Sequence, residues 1–210
     1  MYLSKLQLNP RAKQARRDLA NPYEMHATLS WAFAGREGGR PLWRLEQSRR
    51  EAVLLVQSLT PPDWPALFSR HPDYATLDAQ SPKPFEPTFK AGQLLRFRLR
   101  ANPTVTKLDP QKGKRKRLGL VTLEAQLAWL YRQGERGGFA VLGAMVTSSE
   151  RVSAHKPPKD GRAGHRITLQ SVTYDGHLRV TDVDAFLTTL ECGLGHAKAL
   201  GCGLLSVARG

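Results

Sequence analysis

Between residues 93 and 100 the chain reads QLLRFRLR. Leu95, Phe97 and Leu99 alternate with Arg96, Arg98 and Arg100. Only an extended strand sorts a period of two into one apolar and one charged face; a helix would scatter the arginines around its circumference. This segment therefore demands a sheet with one face buried under a covering layer and the other offering three arginines.

The flanking pattern supplies that layer. Residues 2–8 read as a strand, and Asn9-Pro10 reads as a helix start, with Asn as cap and Pro in the first turn. Asn21-Pro22-Tyr23-Glu24 is a second start, in which Asn21 caps and Glu24 closes a capping box; this helix should run to about Ala34 and stop at Gly35. Residues 42–47 and 52–59 read as strands, 63–68 as a helical turn and 74–77 as a short strand. The proline-rich stretch 81–87, SPKPFEP, reads as linker. After the arginine strand, Thr122 caps a helix through Gln133 with Gly134 at its end, and residues 139–147 form a strand. Residues 148–165 are a polar, basic excursion. A strand over 166–174 turns at Asp175-Gly176 into 177–180. Asp182 caps a last helix, followed by a glycine-rich loop at 193–203 and a strand at 204–208. Each half reads β-α-β-β-α-β, the ferredoxin-like order that RNA-recognition modules share. The expected fold is α+β with two tandem ferredoxin-like domains: residues 1–80, a linker at 81–92, and residues 93–210.

Charge narrows the function classes. The 210 residues hold 32 Lys and Arg against 18 Asp and Glu, a net charge of +14. Residues 1–20 hold five basic and one acidic residue, 90–117 hold ten and one, and 150–166 hold five and two. The remainder is nearly balanced. Three concentrated segments match a phosphate-binding footprint better than a uniformly solubilising coat. The run Lys112, Lys114, Arg115, Lys116 and Arg117 is expected to be a mobile loop, because its like charges repel. No apolar run is long enough to span a bilayer, and no apolar stretch resembling a secretory leader precedes the basic residues at 11–17. The basic segments lack the amphipathic helix that a membrane surface requires, so no membrane partner is expected. Two late cysteines, Cys192 and Cys202, make no disulfide framework and point to the cytoplasm.

Metal chemistry finds little support. The carboxylates are scattered, and Cys192, His196 and Cys202 lack a fourth ligand at suitable spacing. No metal or cofactor is expected. The loop glycines Gly193, Gly195 and Gly201 read either as a permissive connection or as a backbone-amide surface for phosphate, to which Lys198 adds a charge. Tyr23 and His26 lie three residues apart at the start of a capped helix, on one face. That pair beside a phosphate suits RNA cleavage by the RNA's own 2′-OH, which needs one group to accept a proton and one to donate.

Three stretches carry a family resemblance: RRDLANPYEMH at 16–26, LRFRLRANP at 95–103 and KALGCGLLSV at 198–207. The chain resembles the CasE family, the CRISPR repeat endoribonucleases of type I-E Cascade. The resemblance implies metal-free cleavage of precursor CRISPR RNA at the base of each repeat hairpin. It also implies a 2′,3′-cyclic phosphate product and continued residence on the hairpin RNA with other Cascade subunits. On this reading His26 and Tyr23 are catalytic. A basic hairpin within 151–166, with Lys156, Lys159 and Arg162, approaches the cut. Arg96, Arg98, Arg100 and the 112–117 run hold the stem, and the glycine loop with Lys198 lies at the RNA. Members can carry a basic residue just after the histidine and another a turn later; this chain has Ala27 and Trp31 there. Trp31 is expected on the inner, core-facing side of the helix, with a base-stacking platform as the alternative.

Overall fold

The computed structural model describes residues 1–35, 40–109, 113–158 and 163–210. It divides into two compact units, one of residues 1–88, 153–167 and 198–201, the other of residues 89–152, 168–197 and 202–210.

In the first unit, β1 (Tyr2–Leu8) leads to α1 (Lys13–Ala20), α2 (Pro22–Leu29) and a 3-10 turn (Ser30–Phe33). There follow β2 (Leu42–Gln47), β3 (Ala52–Ser58), α3 (Trp64–Arg70) and β4 (Ala75–Leu77). The sheet order is β2-β3-β1-β4, and the β2–β3, β3–β1 and β1–β4 pairings are antiparallel. This is the split βαβ arrangement. A two-residue strand, β5 (Lys83–Pro84), sits in the proline-rich stretch read as linker and also pairs with β1. The core is formed by Leu6 and Leu8 of β1, Trp43, Leu54 and Val56 of β2 and β3, and Met25, Leu29, Trp64 and Leu67 of the helices. Burying each such side chain is worth roughly 1.5–3 kcal/mol.

In the second unit, β6 (Leu94–Ala101) is followed by a separate ribbon of β7 (Thr104–Asp109) and β8 (Lys114–Gly119). Then come α4 (Leu123–Arg136), β9 (Phe139–Lys156) and β10 (His165–Val180), whose residues 153–156 and 165–167 count with the first unit, α5 (Val183–Cys192), a 3-10 turn (Lys198–Leu200) that also counts with the first unit, and β11 (Leu205–Arg209). The order β11-β6-β10-β9 repeats the first unit's topology. Leu95, Phe97 and Leu99 of β6 are buried, while Arg96 and Arg98 are exposed and Arg100 is half-exposed, as the alternation requires.

Several local expectations change. Asn9 does not cap a helix: its side chain accepts from Arg11 N–H in a local turn, and α1 starts at Lys13. Asn21 does cap α2, accepting from Tyr23 N–H, but no capping box forms. The Asn21 N–H is already taken by the Arg17 and Asp18 carbonyls at the end of α1, and Glu24 instead ion-pairs with Arg17 at 2.8 Å. Gly134 lies inside α4 rather than ending it; a Cβ there would meet the Phe139 carbonyl at 2.7 Å.

Asp175-Gly176 is not a turn. Strand β10 runs straight through it, and β9 extends to Lys156 where a polar excursion was expected. Asp175 stands opposite Arg98 and binds it bidentately, at 2.6 and 2.8 Å. Gly176 stands opposite Phe97, and a Cβ there would collide with the Gly143 carbonyl and meet Ala144 Cα at 2.9 Å. A salt bridge and a close approach therefore account for a dipeptide that resembles a turn.

Candidate active site

Helix α2 presents two stripes. Met25, Thr28, Leu29 and Ala32 follow core spacing and are buried. Tyr23, His26, Ala27, Ser30, Trp31 and Ala34 line a groove of about 460 Å³. The expected pair, Tyr23 and His26, is thus brought together on one open wall, each half-buried. Trp31 is not core: it is 42% exposed and shares that groove. Its helical spacing from Tyr23 and Ala27 already carries this signal.

His26 Nδ1 is buried with no hydrogen-bond partner, leaving Nε2 as its less enclosed nitrogen. Burial, and then the Arg40 guanidinium, lower its pKa below the usual histidine value. The imidazole is held neutral, ready to accept a proton. Arg40 was not singled out from sequence, because nothing in its local pattern ties it to His26.

Two further segments of the same unit reach α2. Asn21 Nδ2 donates to the His155 carbonyl at 2.8 Å, and Asn21 Oδ1 accepts from His155 N–H at 3.1 Å. One capping side chain thus pins the far end of β9, with Lys156 next in sequence, at the start of the helix carrying Tyr23 and His26. The turn Lys198–Leu200 packs on α2 and on β2, which places half-buried Lys198 in the neighbourhood of that helix. Lys112, Lys159 and Arg162 lie outside the described residues.

The second unit holds the remaining basic candidates. Lys114, Arg115, Lys116 and Arg117 are not a loop; they are exposed residues of β8. Lys116 stands opposite Lys107 on β7, a like-charge pairing that costs the ribbon stability. Their mutual repulsion is held by the backbone ladder of two six-residue strands. The β6 arginines are partnered: Arg98 by Asp175, Arg100 Nε by Ser171 Oγ at 2.7 Å and its Nη2 by Glu150 at 3.8 Å, and Arg96 Nε by the Arg209 carbonyl at 3.2 Å.

The glycine loop has a steric rationale of its own. Gly193, Gly195 and Gly201 all have φ near +70 to +80°. A Cβ on Gly195 would meet Trp129 at 2.9 Å, and one on Gly201 would meet the Trp43 ring at 2.6 Å. The amides of Gly193, Gly201 and Gly203 donate to the Thr189, Lys198 and Arg100 carbonyls, so these N–H groups are not available to cradle phosphate. Gly201→Val should therefore cost about 2–5 kcal/mol, combining left-handed strain with overpacking against Trp43, as read from thermal melting. Among the described residues, no three His, Cys, Asp or Glu side chains cluster as a metal site would need, and Cys192 is exposed while Cys202 is buried. No helix among the described residues is long and apolar enough to cross a membrane.

The chain is 47% identical over 221 residues to the CRISPR-associated endoribonuclease Cse3 of Thermus thermophilus, covering 99% of this chain and 100% of the relative. It is 32% identical to the CRISPR system Cascade subunit CasE of Escherichia coli, covering 99% of each. A structure of CRISPR endoribonuclease Cse3 bound to 19 nt RNA matches with a TM-score of 0.84 and 45% identity over 100% of both chains. The profile of the CRISPR associated protein family matches residues 1–209, and the chain belongs to this family.

Proposed function

We propose that this protein is a metal-independent endoribonuclease. It cuts precursor CRISPR RNA at the base of repeat hairpins and stays on the product as a Cascade subunit in the cytoplasm. The observation that carries the reading is Tyr23 and His26 sharing one groove beside the segment pinned by Asn21. Relatives named as an endoribonuclease and as a Cascade subunit, and a structural neighbour described as bound to RNA, support the substrate class.

The 2′-oxygen of the nucleotide before the cut attacks its own phosphorus. Its proton passes to one of Tyr23 and His26, the bond from phosphorus to the 5′-oxygen breaks, and the other residue protonates that oxygen. A 2′,3′-cyclic phosphate and a 5′-hydroxyl result. Arg96, the β8 cations and Lys112 hold stem phosphates, with Arg98 and Arg100 contributing from their ion pairs. Lys156, Lys159, Arg162 and Lys198 are assigned to the scissile phosphate, and the loop of Gly193, Gly195 and Gly201 to the RNA.

The test is cleavage of a repeat-hairpin RNA in excess EDTA, beside the same RNA with one 2′-deoxy nucleotide before the scissile phosphate. Cutting of the first alone is expected. Cutting of both means water is the nucleophile and overturns the mechanism. Tight binding without cutting of either makes the protein a non-catalytic hairpin binder.

A further inference from the structure

The groove that holds Tyr23 and His26 has a third chemical feature that the cleavage reaction does not use. Trp31 lines it, and the Arg70 guanidinium carbon lies over the Trp31 ring, 3.6 Å from its centroid. Arg70 ends α3 and is exposed, with no carboxylate partner among the described residues. The chain has four tryptophans. Trp43, Trp64 and Trp129 are buried at 1, 1 and 5% exposure, against 42% for Trp31. Trp31 is thus the tryptophan that the core does not enclose, and it stands beside Tyr23 and His26. Covering an exposed indole with an unpaired guanidinium builds a cationic stack, and nucleobases pile onto aromatic rings and onto arginine planes alike.

We infer that Trp31 and Arg70 form a nucleotide subsite on the wall of the catalytic groove. The stacked pair takes the base of an unpaired nucleotide flanking the cut, and the guanidinium edge takes a phosphate beside it. Trp31 is thereby a positioning and specificity residue. It sets which nucleotide enters the groove, and the proton transfers remain with Tyr23 and His26. The inference rests on the endoribonuclease reading above.

Because Trp31 is the one exposed tryptophan, its fluorescence reports the subsite directly. The probe is the repeat-hairpin RNA carrying the 2′-deoxy nucleotide, which binds without being cut. At saturation, acrylamide should no longer quench the accessible tryptophan emission of the wild-type protein, and Trp31→Phe should lose that RNA-dependent change. In parallel, abasic residues are placed one at a time at the unpaired positions beside the stem. One position should weaken wild-type binding about 10-fold, the scale of one lost base stack. The same abasic RNA should bind Trp31→Leu within about twofold of its parent. Arg70→Gln should lower the salt slope of binding by about one phosphate. Under single-turnover conditions, the protein concentration giving half-maximal cleavage should rise for Trp31→Leu while the maximal cleavage rate stays within a few-fold.

RNA that binds and is cut while Trp31 stays as quenchable as before overturns this inference and leaves the endoribonuclease reading intact. Equal abasic penalties in wild type and Trp31→Leu do the same. RNA that neither binds nor is cut overturns both. The quenching measurement needs only the wild-type protein, so a variant that fails to fold does not block the test.

Discussion

His26→Ala should lower the cleavage rate of a repeat-hairpin RNA by about 10²- to 10⁴-fold, the range of a single acid–base group. Binding of the 2′-deoxy hairpin should stay within a few-fold of wild type, because His26 carries no net charge toward phosphate in the free protein. The physical basis is the groove geometry with the lowered pKa. Burial of Nδ1 and the nearby Arg40 charge both disfavour the imidazolium. A neutral imidazole accepts a proton, so kcat/KM should rise with pH along a limb lying below the ordinary histidine value of about 6.5. A limb on which activity instead falls as pH rises would make His26 the acid and Tyr23 the base. Equal loss of binding and cleavage in His26→Ala would give the residue a structural role only. Singly mixed His26→Ala and wild-type profiles, measured under single-turnover conditions, decide among these.

The second large effect concerns the platform beneath the groove. Asp18 of α1 is 1% exposed, yet it sits among hydrogen-bond donors from three directions. Its Oδ1 accepts from Gln14 Nε2 at 2.8 Å and Thr28 Oγ1 at 3.1 Å, and its Oδ2 accepts from Tyr74 Oη at 2.8 Å. Thr28 lies on the inner stripe of α2, so this carboxyl ties the helix carrying Tyr23 and His26 to α1 and to the residue preceding β4. Asp18→Ala leaves three donors around a void and should cost about 3–5 kcal/mol, seen in urea or thermal unfolding.

Asp18→Asn should behave differently. Its amide oxygen still accepts from Gln14 and Thr28, and its NH₂ donates to Tyr74 Oη. Tyr74 O–H can in turn point to Met25 Sδ, already 3.2 Å away. The pH dependence follows the same logic. Desolvation is the main cause that raises the Asp18 pKa, opposed by these hydrogen bonds. Between the unfolded and the folded values, the folded state holds a proton that the unfolded state has released. This contribution is fully present below the ordinary carboxylate value of about 3.9 and is lost as pH rises through the folded value. Asn removes that slope, so Asp18→Asn should lie within about 1 kcal/mol of wild type at pH 7, with Asp18→Ala far below both. A large loss in Asp18→Asn would mean that the ionised carboxylate itself is required.

Much of this protein was legible from local chemistry. The arginine strand was read from a period of two, and the covering helices from Asn21, Thr122 and Asp182, although Asn9 turned out to close only a local turn. Tyr23 and His26 share a face because three residues on a helix always do. Family resemblance then supplied the chemistry that a Tyr-x-x-His spacing alone does not specify. Trp31 was expected in the core and lies outside it, although its spacing from Tyr23 and Ala27 places it on the open stripe, away from Met25, Leu29 and Ala32.

Other features needed contacts between residues far apart in sequence. Local chemistry cannot tell Asp175-Gly176 in a turn from the same pair in a strand. The difference lies in Arg98, 77 residues away, and in Gly143, whose carbonyl leaves no space for a Cβ. Repulsion predicts a loose 114–117 segment when it is considered alone, and the ladder to β7 overrides it. The pinning of His155 by Asn21 spans 134 residues, and the Arg40 charge acts on His26 from outside its helix. Periodicity and capping act within a few residues and are written in the sequence. Register, close packing and the field around a buried imidazole depend on which distant residues the fold brings together, and only the tertiary structure decides that.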